Sequence, residues 1–123
     1  MTKKVDVVYN SNWNCIVNTI IGAVDTPSTE ELISGVAALS EKHNCRRCIT
    51  DIRQAENQLS IMELYYLPER AVQGNFDRTW KRAIVVNELF DEAIFYEDTA
   101  NNQGLMVRIF TSTEDALDWL NGA

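Results

Sequence analysis

Glycine appears five times and is scattered along the chain, so no glycine-rich loop of the kind that wraps nucleotide phosphates can be built. Histidine appears once, as His43, in a predicted loop and without a serine or cysteine partner that would make a nucleophile-base pair. Cysteine appears three times, and the odd count fits a reducing compartment rather than a disulfide framework. His43-Asn44-Cys45-Arg46-Arg47-Cys48 is the one cluster of redox-type or metal-type side chains, and the two arginines would favour thiolates. The order is wrong for chemistry, however. A thioredoxin-type pair opens a helix after a strand, whereas Cys48 here already belongs to a predicted strand. As a zinc site the cluster offers three ligands with no second pair, and Cys15 lies on another strand. Neither a metal nor a cofactor is expected, and no motif supports an enzyme.

Long apolar runs are also missing. The basic start, Met1-Thr2-Lys3-Lys4, leads into the alternation Val5, Asp6, Val7, which is neither a signal peptide nor a membrane span, so a cytoplasmic location is expected. Positive charge is nearly absent from the last third. Up to Asn87 ten acidic residues balance ten basic ones, whereas from Glu88 onward eight acidic residues face Arg108 alone, which accounts for the net charge of -7. The last two predicted helices should therefore form an acidic surface that repels phosphate backbones and anionic lipid heads. Nucleic acid and membrane partners are not expected, and a basic protein patch suits such a surface better.

What is present is a rhythm of short apolar strands followed by helix-capping residues. The 123 residues read as one domain, 1–123, large enough to bury about two-thirds of its unfolded surface. Strands are predicted over 5–9 and 15–21, joined by the turn-forming Asn10-Ser11-Asn12, with Gly22 ending the second. Three pairs fit the capping box, in which a hydroxyl and a carboxylate three positions on satisfy orphaned backbone N–H groups: Ser28/Glu31, Ser60/Glu63 and Thr111/Glu114. The first opens a helix ending near His43-Asn44. A buried strand over 48–52 leads through a loop over 53–59 into a helix over 60–74, where Pro68 predicts a break or kink. A strand over 82–86, a helix over 89–100 closed by Asn101-Asn102-Gln103-Gly104, a strand over 106–110 and a last helix capped by Asn121-Gly122 complete the chain. The order ββαβαβαβα implies an α/β sandwich, with a mixed, mostly parallel five-stranded sheet and about four helices.

Segments 48–53, 60–70, 81–86 and 107–120 resemble the SpoIIAA-like, STAS-related proteins, a likeness spanning roughly 15–120. Its most distinctive pieces are Ser60-Ile61-Met62-Glu63-Leu64-Tyr65 running into Leu67-Pro68-Glu69, and Val107-Arg108-Ile109-Phe110 followed by Ala116 and Trp119-Leu120. The resemblance implies a bacterial, non-catalytic regulatory domain. In the anti-sigma factor antagonists of the wider superfamily, it further implies a partner kinase that phosphorylates a serine at a helix start, about nine residues after an aspartate ending the preceding strand. Asp51 and Ser60 have that separation. Leu59-Ser60-Ile61-Met62 departs from the acidic residue, two small polar residues and glycine that surround the antagonist serine.

Ser60 and Glu63 thus have two readings, a helix N-cap or a phosphoacceptor beside its capping carboxylate. Asp51 and Arg53, expected at the carboxyl end of a central strand, are either a local ion pair or a contact for a ligand or partner. Tyr65, Tyr66, Phe90, Phe95 and Tyr96 concentrate aromatics on the two middle helices. Tyr66 and Phe95 are expected nearer the surface, as packing, a groove or a homodimer contact. Two functions follow. One is a regulatory domain that binds a protein partner or a second copy through the acidic helices and the Ser60 helix. The other is a carrier or sensor of a small apolar ligand, held between the sheet and the 60–74 segment near Leu64 and Tyr65.

Overall fold

The computed structural model describes residues 3–122. Nine elements follow one another in the expected order: β1 (Lys4–Asn10), β2 (Cys15–Val24), α1 (Thr26–His43), β3 (Arg47–Asn57), α2 (Ile61–Gln73), β4 (Lys81–Val85), α3 (Asp91–Asn102), β5 (Met106–Phe110) and α4 (Thr113–Gly122). The five strands lie side by side in sequence order. β1 and β2 form an antiparallel hairpin, and every later neighbour is parallel.

That order dictates the layers. Right-handed crossovers that always step in the same direction place their helices on one face of the sheet. Alternate residues of each strand accordingly feed two different cores. Ile16, Ile20 and Cys48 pack with Leu32 and Val36 of α1, and Val107 packs with Tyr96 and Ala100 of α3, all on the crossover face. Cys15, Ile49, Ala83 and Val85 point the other way, onto Ala116 and Leu120 of α4. Being no crossover, α4 is free to cover that second face.

Local chemistry differs from expectation in several places. Asp25 caps α1 in place of Ser28: its carboxylate accepts from the Ser28 amide and Ser28 Oγ accepts from the Asp25 amide, both at 2.9 Å, so Ser28 is the third helical residue rather than the cap. At α4, Ser112 Oγ accepts from the Asp115 amide, which shifts the expected Thr111/Glu114 pair by one position. Asn121 and Gly122 belong to α4 itself and do not cap it. Gly22 does not end β2 but lies inside it at φ +98°, a conformation glycine adopts without strain. Most of the expected 53–59 loop is strand, because β3 runs on beyond β4 and keeps pairing with β2 up to Asn57. Between the pairs Thr19–Asp51 and Ile21–Gln54, β3 holds one more residue than β2.

Pro68 does not break α2, which continues to Gln73. A helix-interior proline loses one backbone bond and crowds the preceding turn, at roughly 3 kcal/mol. Here the ring is fully buried, and its removal from water offsets that loss. At the end of α2, Gly74 lets α1 approach closely, since a Cβ there would stand 2.4 Å from Ile33 Cγ2.

The acidic excess does not form one surface. α3 and α4 lie on opposite faces of the sheet, so Glu88, Asp91 and Asp98 share a layer with α2 while Glu114, Asp115 and Asp118 stand across the sheet.

Candidate functional site

A cavity of about 90 Å³ lies under α1, α2 and α3 on the crossover face. Ile20, Leu32, Ile52, Leu64, Leu67 and Ile109 give it apolar walls, and Thr50, Asn57, Arg82, Glu92 and Tyr96 contribute polar groups. Its size follows from the elements that frame it. α2 packs against α3 over the β4 end of the sheet, while the β3 extension carries Ile52 and Asn57 beyond the last β4 residue to close one side.

Arg82 is the unusual member. It is only 9% exposed, and it sits in β4 between Cys48 of β3 and Val107 of β5. Its Nη2 donates to Tyr96 Oη at 3.0 Å and its Cζ lies 5.0 Å from the Phe76 ring centroid. Nη1 has no partner, and no carboxylate among the described residues comes within ion-pairing distance. Burial works against the charge, but Tyr96 and Cys48 beside it outweigh burial and raise the guanidinium pKa, so Arg82 stays cationic. A buried cation without an anion destabilises the fold by several kcal/mol, on the order of what breaking a buried ion pair costs. Asn18, fully buried on the same sheet face, leaves both its side-chain Nδ2 and Oδ1 unbonded.

Asp51 and Arg53 lie on the opposite face, by the start of α4. They pair through Arg53 Nε to Asp51 Oδ1 at 3.0 Å and Nη2 to Oδ2 at 2.9 Å, while the Arg53 amide also donates to Oδ1. Burial alone would raise the Asp51 pKa, but these bonds overcome it and hold the carboxyl below its ordinary value. Arg53 also reaches Thr113 Oγ1 at 3.5 Å, and its carbonyl accepts from Asn87 Nδ2 at 2.7 Å. The pair ties β3 to the start of α4 and to the residues after β4.

Ser60 is the N-cap of α2. Its Oγ accepts from the Glu63 amide at 3.1 Å, and the Glu63 carboxylate accepts from the Ser60 amide at 3.0 Å and from Thr26 Oγ1 at 2.8 Å. These bonds lower the Glu63 pKa, the Ser60 amide contributing most. Beyond the cap, α2 turns Leu64, Pro68 and Ala71 inward and leaves Ile61 (52% exposed), Met62 (62%), Tyr65 (50%) and Tyr66 on its outer side. Tyr65 and Tyr66 meet edge to face, with ring centroids 5.1 Å apart.

The residues singled out from the sequence therefore occupy three places. Leu64 lines the cavity, Tyr65 and Tyr66 stand on the outer side of α2, and Asp51 with Arg53 lie across the sheet. Phe95 is half-buried in α3 against the cluster of Leu59, Leu64 and Tyr96. The three cysteines are free and buried. Burial pushes the Cys15 and Cys48 thiols up to about 11. No group of histidine, cysteine or carboxylate side chains suited to a metal occurs among the described residues, nor does any of their helices have the length and apolarity to cross a membrane.

With this geometry in view, the fold can be compared with solved structures. A protein of the DUF3478 family from Shewanella loihica PV-4, with a SpoIIAA-like fold, superposes with a TM-score of 0.63 at 14% identity, over 98% of this chain and 96% of its own. The chain has a SpoIIAA-like fold. An anti-sigma factor antagonist from Mycobacterium paratuberculosis gives 0.61 at 15% identity, over 95% and 94% of the two chains. The anti-sigma factor antagonist SpoIIAA in its unphosphorylated form gives 0.54 at 12%, over 99% and 100%. No protein-family model matches the sequence, and no curated protein matches it.

On this SpoIIAA-like frame, reasoning from sequence missed Arg82 and Asn18, and read Tyr96 only as one of the aromatics of the middle helices. The signal was present in each case. Arg82 is a charge at the first position of the 82–86 strand, two positions from Ile84 and so on the same face. Asn18 breaks the apolar stretch from Cys15 to Ile21.

Proposed function

We propose that this chain is a non-catalytic regulatory domain that acts by binding another protein through the outer side of α2. The exposed apolar cluster of Ile61, Met62, Tyr65 and Tyr66 on one short helix carries this reading, since clustered apolar exposure marks interaction sites. Glu63 and Glu69 on α2 and Asp91 on neighbouring α3 are exposed around it. The matching surface would have an apolar centre and a basic rim. Fold-level likeness to two anti-sigma factor antagonists agrees with a regulatory role. Ser60 stands at the entrance of this surface. A phosphate there would meet the positive helix end but also the Glu63 carboxylate, giving a modification a direct way to change the surface.

The test is a photo-crosslinking residue at Tyr65, with the same residue at Val8 on the opposite face as control, in extracts of the source cells. A single protein adduct at Tyr65 that disappears with Met62→Asp supports the reading. Crosslinking of equal extent at both positions, or none at Tyr65, refutes it. A crosslinked dimer identifies the partner as a second copy.

The cavity favours a second reading, in which the domain carries or senses a small apolar molecule between the sheet and α2. Its walls, mostly aliphatic, support that reading.

A further inference from the structure

We propose that the cavity under α1, α2 and α3 is a receptor for a short-chain monocarboxylate, whose carboxylate pairs with the guanidinium of Arg82 while its hydrocarbon tail lies against Ile20, Leu64 and Ile109. This deepens the second reading above and rests on it. Three observations converge. Arg82 lines the cavity, is almost fully buried, and has no carboxylate among the described residues within ion-pairing distance. Its Nη1 has no hydrogen-bond partner, while Nη2 is held by Tyr96 Oη and the guanidinium is steadied over Phe76. The group is therefore oriented by protein contacts yet retains donor capacity and an unbalanced charge. A carboxylate answers both needs, since arginine binds that group by charge-assisted, commonly paired, hydrogen bonds.

The walls and the volume select the rest of the molecule. A cavity of about 90 Å³ is smaller than the roughly 150 Å³ that takes up benzene, so it admits no more than about the six non-hydrogen atoms of benzene. Propionate and butyrate meet that limit, whereas a nucleotide or a long-chain fatty acid does not. Mostly aliphatic walls disfavour an inorganic anion, which would have no hydrocarbon to bury. Glu92, half-exposed in the first turn of α3, is the other charged group that lines the cavity; its carboxylate opposes any anion, so the contacts with Arg82 must outweigh it and a doubly charged ligand is disfavoured.

Butyrate and its neutral analogue butyramide are titrated into isotopically labelled protein, and the Leu64 and Ile109 methyl resonances and the Arg82 side-chain N–H signals are followed. Saturable shifts are expected with butyrate, at least about ten-fold tighter than with butyramide, a difference of about 1.4 kcal/mol. In Arg82→Met the preference for butyrate should vanish while any butyramide binding persists. If that variant fails to fold, Ala93→Leu, which fills the cavity from α3, serves instead and should abolish the methyl shifts. Butyramide binding as tightly as butyrate overturns the carboxylate assignment and leaves the apolar-ligand reading standing. No methyl shift with either compound overturns both, because the polar groups are then served by water alone.

Discussion

At the scale of single residues, Ser60 shows how a side chain can be explained by the fold and still be open to regulation. Its hydroxyl and the Glu63 carboxylate each satisfy the other's amide, and Thr26 adds a third bond from the start of α1. Ser60→Ala should lower stability by about 1 kcal/mol in urea denaturation, whereas Ser60→Asp, which keeps an acceptor at the cap, should lose much less. Asp25 and Asp51 make the acid response predictable. Lys3 and the Ser28 amide lower the Asp25 pKa, and Arg53 outweighs burial to lower that of Asp51. A carboxyl whose folded pKa lies below its ordinary 3.8 stabilises the fold above that value, and the contribution is lost as pH falls through the folded pKa. The double variant Asp25→Asn, Asp51→Asn should thus be less stable than the parent at neutral pH. The gap should narrow progressively as pH falls below the ordinary carboxyl value of 3.8, as read from denaturation midpoints across pH.

At the scale of elements, the sheet's last strand shows how an edge is closed by side chains. β5 has β4 on one side only. On its open side the Ile109 amide donates to Glu97 Oε2 at 2.7 Å, and the Val107 carbonyl accepts from Asn101 Nδ2 at 2.8 Å. Glu97 and Asn101 are four residues apart on α3, so one helical face occupies the backbone groups that another strand would use. Replacing both by alanine should expose that edge, and sedimentation should show concentration-dependent association absent from the parent. Elements of this kind explain what could be read in advance. The order of strands and helices was legible because apolar runs and hydroxyl–carboxylate spacings recur, and the Ser60/Glu63 spacing identifies the start of α2 correctly. Asp25 was overlooked as the α1 cap because Thr26, Ser28 and Thr29 offer competing hydroxyls. The second half of β3 was hidden because it pairs on one side only, leaving Arg53, Gln54 and Glu56 exposed without an apolar alternation. Pro68 misled because local geometry ignores the burial that offsets its cost. Of the candidate site, Leu64 was legible from helical periodicity. Arg82 was not, since an arginine in a strand reads as an edge or surface residue until its neighbours are known.

At the scale of the whole molecule, the two sheet faces differ in how they are covered, and the cysteines report the difference. Three crossover helices cover one face, whereas α4 alone covers the other, held there by its packed residues and by Arg47 and Lys81, which donate to the Leu120 and Trp119 carbonyls. Cys48 and Cys45 belong to the first core and Cys15 to the second. With all three buried and the Cys15 and Cys48 thiols held near 11, the native protein should react very slowly with a thiol-labelling reagent at neutral pH, and fully only when unfolded. Leu120→Ala removes an anchor of α4 and should cost roughly 2 to 5 kcal/mol. Much of that loss falls on the contact between α4 and the sheet, so detachment of α4 alone becomes the cheapest opening of the structure. Exposure then returns the Cys15 thiol toward its ordinary value of 9.0 and makes it reactive, while Cys45 and Cys48 stay covered by α1 and its neighbours. Peptide mapping of the labelled variant should find Cys15 modified well before the other two. Equal labelling of all three would mean that both faces open together, and that α4 is bound into the same cooperative unit as the crossover helices.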